Sequence, residues 1–143
     1  MTVRKILNLK GSDVMTIAPD KKLLDAIALL TKHRIGALIV MEKTGEVVGV
    51  LSERDIVHLL SNKDANRFEN AVSSAMTTPV TSCKPDDSIQ HIMHVMTAGR
   101  FRHMPVVDNG RLAGVISIGD VVKLRLEEME RESEHLKEYI ATA

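Results

Sequence analysis

The sequence predicts an α+β fold: two copies of one unit, each running strand, helix, strand, strand, helix, packed about a pseudo-twofold axis and followed by an extended C-terminal helix. Three observations predict it. The stretch GVLSERDIVHL at residues 49–59 returns as GVISIGDVVKL at residues 114–124, with six of eleven positions identical. Upstream the match continues at a constant offset of 66 residues, from Val14 on Val80, so that Pro19-Asp20 falls on Pro85-Asp86 and Val40 on Val106. Each copy also switches from a helical spacing of apolar residues to short apolar runs separated by turn residues.

The elements follow in order. Segments from Val14 and Val80 supply a first strand in each copy, and Pro-Asp then signals a helix start. Leu23, Ala26, Ile27 and Leu30 fall on one helical face, as do Ile89, Ile92, Met93 and Met96. The runs ALIVM and MPVV read as buried strands, TGE and DNG as hairpin turns, and VVGVL and LAGVI as the returning strands. Residues 1–62 then form the first repeat with its lead-in, 63–79 the linker, 80–126 the second repeat and 127–143 a helical tail. That tail lacks Gly and Pro and prolongs the last helix. Its stripe of Val122, Leu126, Met129, Leu136 and Ile140 fits a two-helix seam, most simply in a homodimer.

Composition narrows the function. Nineteen basic and nineteen acidic residues in 143 cancel, and aromatic residues make up only 2%. Binding to nucleic acid or to an anionic membrane therefore has neither an overall field nor a stacking platform behind it. Cys83 is the single cysteine, no apolar run has membrane-spanning length, and the first residues lack a signal-peptide pattern, so a cytoplasmic protein is expected. Cys83 aligns with the apolar Ile17 and reads as a small core residue. His91 and His94 have a spacing that suits a metal on a helix, but no third ligand accompanies them and they read as solvent-facing. There is no phosphate loop and no GxGxxG, which leaves an NTPase or a dehydrogenase without a motif.

Two polar constellations remain. Ser52-Glu-Arg-Asp55 and Ser117-Ile-Gly-Asp120 put a carboxylate at a helix start, where it can accept from vicinal hydroxyls of a ribose or simply close a capping box. Arg102-His103-Met104-Pro105 offers a guanidinium fork and an imidazole where the first copy has Gly36-Ala37-Leu38-Ile39. On that asymmetry Arg102 and His103 are expected to make the cleft of Asp120 the tighter one, while the cleft of Asp55 depends on Arg54, whose counterpart is Gly119.

Tandem copies with Pro-Asp before the first helix, RHMPVVD in the middle strand and GVISIGDVV at the end resemble a pair of CBS domains, the Bateman module, over about residues 10–126. The resemblance implies regulatory binding of adenosine-containing ligands (AMP, ADP, ATP, NAD(H) or S-adenosylmethionine) in clefts between the copies. It implies no catalysis and no required cofactor. By position in the family it adds Ser12, Asp13 and Met15, Ile35, Gly36 and Ala37, and Thr77, Thr78, Pro79 and Thr81 to the cleft linings. Phe101, Met104, Pro105, Ser117 and Gly119 join them beside the residues above. The implied partners are a homodimer mate and a regulated protein of unknown identity. A structural dimerisation module without a ligand is the rival reading, and a nucleic-acid-binding module a weaker one.

Overall fold

The structure, a computed structural model, describes residues 1–142. A lead-in helix α1 (Val3–Lys10) precedes the first repeat, which consists of β1 (Thr16–Ile17), α2 (Leu23–His33), β2 (Ala37–Met41), β3 (Val47–Ser52) and α3 (Glu53–Leu59). Two short 3-10 turns, Arg67–Glu69 and Val72–Ser74, lie in the linker. The second repeat follows with α4 (Ile89–Gly99), β4 (His103–Asp108), β5 (Arg111–Ser117) and α5 (Ile118–Thr142).

In the first repeat β1 lies parallel to β2, and β2 pairs antiparallel with β3. In the second only β4 and β5 pair as strands, and the expected first strand shrinks to one parallel bridge, Cys83 to Val106. Pro105 is the reason. In the first repeat the amide of Ile39 donates to the carbonyl of Met15 at 3.2 Å. Pro105 stands at that place in the second repeat and has no N–H, so Thr81 cannot be held in the ladder. The ladder survives just beyond, where the Cys83 amide donates to the Pro105 carbonyl at 3.0 Å and the Val107 amide to the Cys83 carbonyl at 2.8 Å. Both hairpins carry a register shift at the same place, Val40/Met41 and Val106/Val107, so the repeat extends to irregularities of the sheet.

The two cores are closed by exchanged straps. Val3 and Ile6 of α1 pack with Cys83, Ile89, Ile92, Met96, Met104, Val106, Ile116, Val121 and Leu124, the core of the second repeat. Val72 of the linker packs with Ile17, Leu23, Ala26, Leu30, Leu38, Val40 and Leu51, the core of the first. The lead-in is thus attached to the first repeat in sequence and to the second in space. Matching backbone bonds dock the straps: Val3 N–H to the Asp87 carbonyl at 3.0 Å and Val72 N–H to the Lys21 carbonyl at 2.7 Å. The repeated glycine of the returning strands makes room for them. A Cβ on Gly49 would lie 2.5 Å from Met76 Sδ, and one on Gly114 would lie 2.5 Å from Leu7 Cδ2.

Helix α5 runs unbroken from the second repeat into the tail. It buries only Val121 and Leu124, and from Met129 to Thr142 it is exposed throughout. Ala143, the last residue assigned to the tail, lies outside the described residues. Among the described residues no helix is long and apolar enough to cross a membrane.

Candidate functional site

The capping geometry at the two helix starts is the foundation of the site. At α3 the Ser52 amide donates to Asp55 Oδ2 at 2.8 Å, the Ser52 hydroxyl donates to the same oxygen at 3.2 Å, and the Asp55 amide donates back to Ser52 Oγ at 3.4 Å. At α5 the Ser117 amide donates to Asp120 Oδ2 at 2.9 Å and the Asp120 amide to Ser117 Oγ at 3.2 Å. Both carboxylates are therefore caps, as the Ser-x-x-Asp pattern requires. Capping fixes each carboxylate against its helix start and leaves the outer oxygen of Asp55 for other donors. The Thr77 hydroxyl, on the linker, reaches Asp55 Oδ1 at 3.0 Å.

Between the repeats this carboxylate looks into a cleft of about 550 Å³, within the usual range for small-molecule sites. Gly36, Val50, Ser52, Glu53, Arg54, Asp55 and Val57 form the first repeat's side, Thr77 and Pro79 come from the linker, and Val80 and Thr81 from the start of the second repeat. Gly99, Arg100, Phe101, Arg102 and His103 close it from the second repeat. Arg54 spans the opening, with Nη1 donating to the Arg100 carbonyl at 2.7 Å. That carbonyl belongs to the C-cap of α4, where a cation is favoured by the helix dipole.

His103 stands half-buried at the junction. Its ring is 3.0 Å from where a Cβ on Gly36 would be, and the Glu53 carboxyl carbon is 3.8 Å from the same point. A side chain at position 36 would press on the imidazole, which would have to give by a few tenths of an ångström. Burial lowers the pKa of His103 below its ordinary value. Lys10 and Arg102 push in the same direction, while Glu53 and Asp120 oppose.

The second half-site differs. Lys10, at the end of α1, places Nζ 2.8 Å from Asp120 Oδ2 and 3.1 Å from the Val115 carbonyl. Burial acts to raise the pKa of Asp120, but the Lys10 and Ser117 hydrogen bonds and the Lys10 charge outweigh it and the net shift is downward. Lys10 meets Asp120 on the capping oxygen Oδ2, whereas Thr77 meets Asp55 on the outer oxygen Oδ1. An ammonium thus stands on one carboxylate and a hydroxyl on the other.

Of the residues expected from sequence, Gly36, Ser52, Arg54, Asp55, Thr77, Pro79, Thr81, Phe101, Arg102 and His103 line one cleft. Arg102 and His103, expected beside Asp120, stand at the start of α5 in their own repeat, where the Ile118 amide donates to the Arg102 carbonyl at 2.8 Å and His103 pairs with Ser117, and they also line the cleft of Asp55. Ser12 and Asp13 line a separate, wider depression of about 960 Å³ at the hairpin ends. Met15 and Ile35 pack against the first core. Met104 and Pro105 are buried and do not line the cleft, Met104 packing into the second core. Ala37, Thr78, Ser117, Gly119 and Asp120 are not among the residues lining the Asp55 cleft. Glu53, Arg100, Val50, Val57, Val80 and Gly99 were not foreseen. Arg100 could have been, because it repeats Arg34 at the 66-residue offset and both take a left-handed conformation at a helix end, with φ of 55° and 53°.

Cys83 is buried at 3% exposure, and burial pushes its thiol up to about 12, which suits a core residue and not a nucleophile. His91 and His94 are exposed on α4. Among the described residues no cluster of three or more His, Cys, Asp or Glu is placed to hold a metal.

Comparison with known proteins agrees with this architecture. The sequence profile described as "CBS domain" matches residues 3–62 and again residues 72–127. A solved CBS-domain containing protein from Agrobacterium tumefaciens is 45% identical, with a TM-score of 0.83 over 87% of this chain and 92% of that one. CBSX2, solved in complex with AMP, is 24% identical with a TM-score of 0.75 over 90% of this chain and 98% of its own. The CBS domain pair of protein MJ0100, solved with 5-methylthioadenosine and S-adenosyl-L-methionine, is 24% identical with a TM-score of 0.78 over the same shares. At that identity the last two likenesses concern the fold.

Proposed function

Because the chain belongs to the CBS-domain family and carries the domain twice, as one tandem pair, we propose that it is a regulatory module that binds an adenosine-containing ligand between its repeats and catalyses nothing itself. The observation that carries this reading is the single cleft in which Asp55, fixed by its cap, faces Arg100, Arg102 and His103 of the other repeat. A carboxylate there accepts two hydrogen bonds from vicinal ribose hydroxyls, one of them in exchange for the Thr77 hydroxyl. Val50, Val57, Pro79 and Phe101 provide apolar surface for a purine ring, and the guanidinium groups suit a phosphate.

The charge of the lining favours one part of the ligand class. Arg54, Arg100 and Arg102 outnumber Glu53 and Asp55, so AMP, ADP, ATP or NAD(H) fits better than the cationic sulfonium of S-adenosylmethionine. Solved CBS pairs with AMP and with S-adenosyl-L-methionine support the class of ligand. The ligand joins both repeats and the linker strap at once, and it competes with the Arg54 bond to Arg100. It therefore biases the arrangement of the repeats as far as it binds one arrangement better than the other. A homodimer mate and a regulated protein are the partners that such a module serves. A structural dimerisation module has no use for a cleft of this size lined by a capped carboxylate and three arginines.

Melting temperature tests the reading. A ligand that binds only the folded state stabilises it by RT ln(1 + [L]/Kd), about 2.7 kcal/mol at a hundredfold excess over Kd. AMP, ADP, ATP, NADH and S-adenosylmethionine should raise the melting temperature by different amounts and their guanosine counterparts should not. No shift with any adenine compound at millimolar concentration would leave the dimerisation module as the better account.

A further inference from the structure

The free end of α5 carries an apolar stripe with nothing against it. Leu126, Met129, Leu136 and Ile140 are 51% to 66% exposed. With Val122 and Ser133 they alternate in steps of four and three residues, so Leu126, Ser133 and Ile140 take one seam position of a heptad and Val122, Met129 and Leu136 the other. Buried Val121 and Leu124 hold the helix on its own repeat through a different face, and the stripe is left open beside it.

The residues flanking the stripe discriminate between partners. Lys123, Glu130 and Lys137 run along one edge, and Arg125, Glu132 and Tyr139 along the other. In a parallel, in-register pair a residue of the second edge meets the first-edge residue five places later on the other helix. Arg125 then faces Glu130 and Glu132 faces Lys137, both pairs of opposite sign. Arg125 already donates to its own Glu128 at 3.1 Å, which makes Glu132 with Lys137 the less encumbered pair. A fully overlapping antiparallel pair would instead set Glu130 against Glu130, Glu132 against Glu132 and Lys123 against Lys137. Ser133 adds a second constraint. In the parallel, in-register pair it meets its own copy, whereas the antiparallel pair sets it against Met129, and one polar seam residue is enough to fix alignment.

We propose that α5 is the self-association element of this protein, forming a parallel, in-register two-stranded coil with a second copy of the chain. The inference is independent of the ligand and goes beyond a bare dimer by fixing the element, the orientation and the register. Both copies then present their repeats at the same end of the coil.

Cysteine cross-linking tests it on the full chain. The native Cys83 is buried in the second core, so Ser133→Cys reports on the seam alone. Under mild oxidation Ser133→Cys should run as a covalent dimer on a non-reducing gel, and Glu134→Cys, on the outer face, should not. Light scattering on Met129→Asp with Leu136→Asp should give half the wild-type mass, with helix content by circular dichroism unchanged, since both side chains are exposed. A monomeric wild type, a dimer that survives the double substitution, or a dimer in which Ser133→Cys fails to cross-link would each overturn the proposal.

Discussion

Asp55 and Asp120 hold the same place in their repeats, and their neighbours make them unequal. Asp55 meets the Thr77 hydroxyl and faces Arg100, Arg102 and His103, whereas Asp120 is paired with Lys10. Asp55→Asn keeps the size and much of the cap but loses charge-assisted bonds worth roughly 1.5–3 kcal/mol each. Calorimetry should register a tenfold to hundredfold weaker adenine ligand with the fold preserved. Asp120→Asn should leave that affinity within about threefold, because it removes a surface pair of the kind that contributes about 0–1 kcal/mol. Equal losses in both variants would contradict the assignment. The carboxylates and the Arg-His pair were legible in the sequence, but not that Arg102 and His103, next to Ser117 in their own repeat, also reach the cleft of Asp55.

His103 makes a second prediction at this scale. Burial lowers its pKa in the folded protein, so below the ordinary value of 6.5 the unfolded chain takes up the proton first. Its contribution to stability is present above that value and is lost as the pH falls through the lower, folded pKa. Lys10, Arg102, Glu53 and Asp120 set that lower value from both repeats and the α1 strap. The urea midpoint of the wild type should drop on acidification from pH 7 to pH 5, and His103→Gln should flatten that slope. Parallel slopes for the two proteins would remove His103 from the explanation.

At the scale of elements the straps matter most. Gly49 lies beneath Met76, whose Sδ, Cγ and Cβ are 2.5, 2.9 and 3.2 Å from the position of an added Cβ. Rotating the side chain moves Sδ and Cγ away but not Cβ, so Gly49→Ala overpacks the contact and should cost about 1–3 kcal/mol in urea unfolding. Met76→Ala in the same chain should recover part of the loss, which a double-mutant cycle measures as a coupling energy. Additive effects would show that the strap does not rest on Gly49. The helices and hairpins were legible because spacing and turn residues mark them locally. The missing strand was also legible in the sequence, in Pro105 at the register of Ile39. The exchange of straps was not legible at all: α1 carries no mark of which core it closes, and contact with Leu7 and Met76 is visible only once Gly114 and Gly49 are placed in space.

At the scale of the whole molecule the duplication makes two equivalent carboxylates, and Lys10 of one strap and Thr77 of the other make them different. One faces a lined cleft and the other a lysine. The cleft draws on three separate stretches of chain, residues 36–57, 77–81 and 99–103, so its ligand reports on how the repeats sit together. The most direct test is a crystal structure of the protein grown with whichever adenine compound raises its melting temperature most. The account predicts the ribose on Asp55, the base against Val50, Val57 and Phe101, and the anionic group toward Arg100 and Arg102. A ligand bound instead at Asp120, or in the depression lined by Ser12 and Asp13, would contradict it.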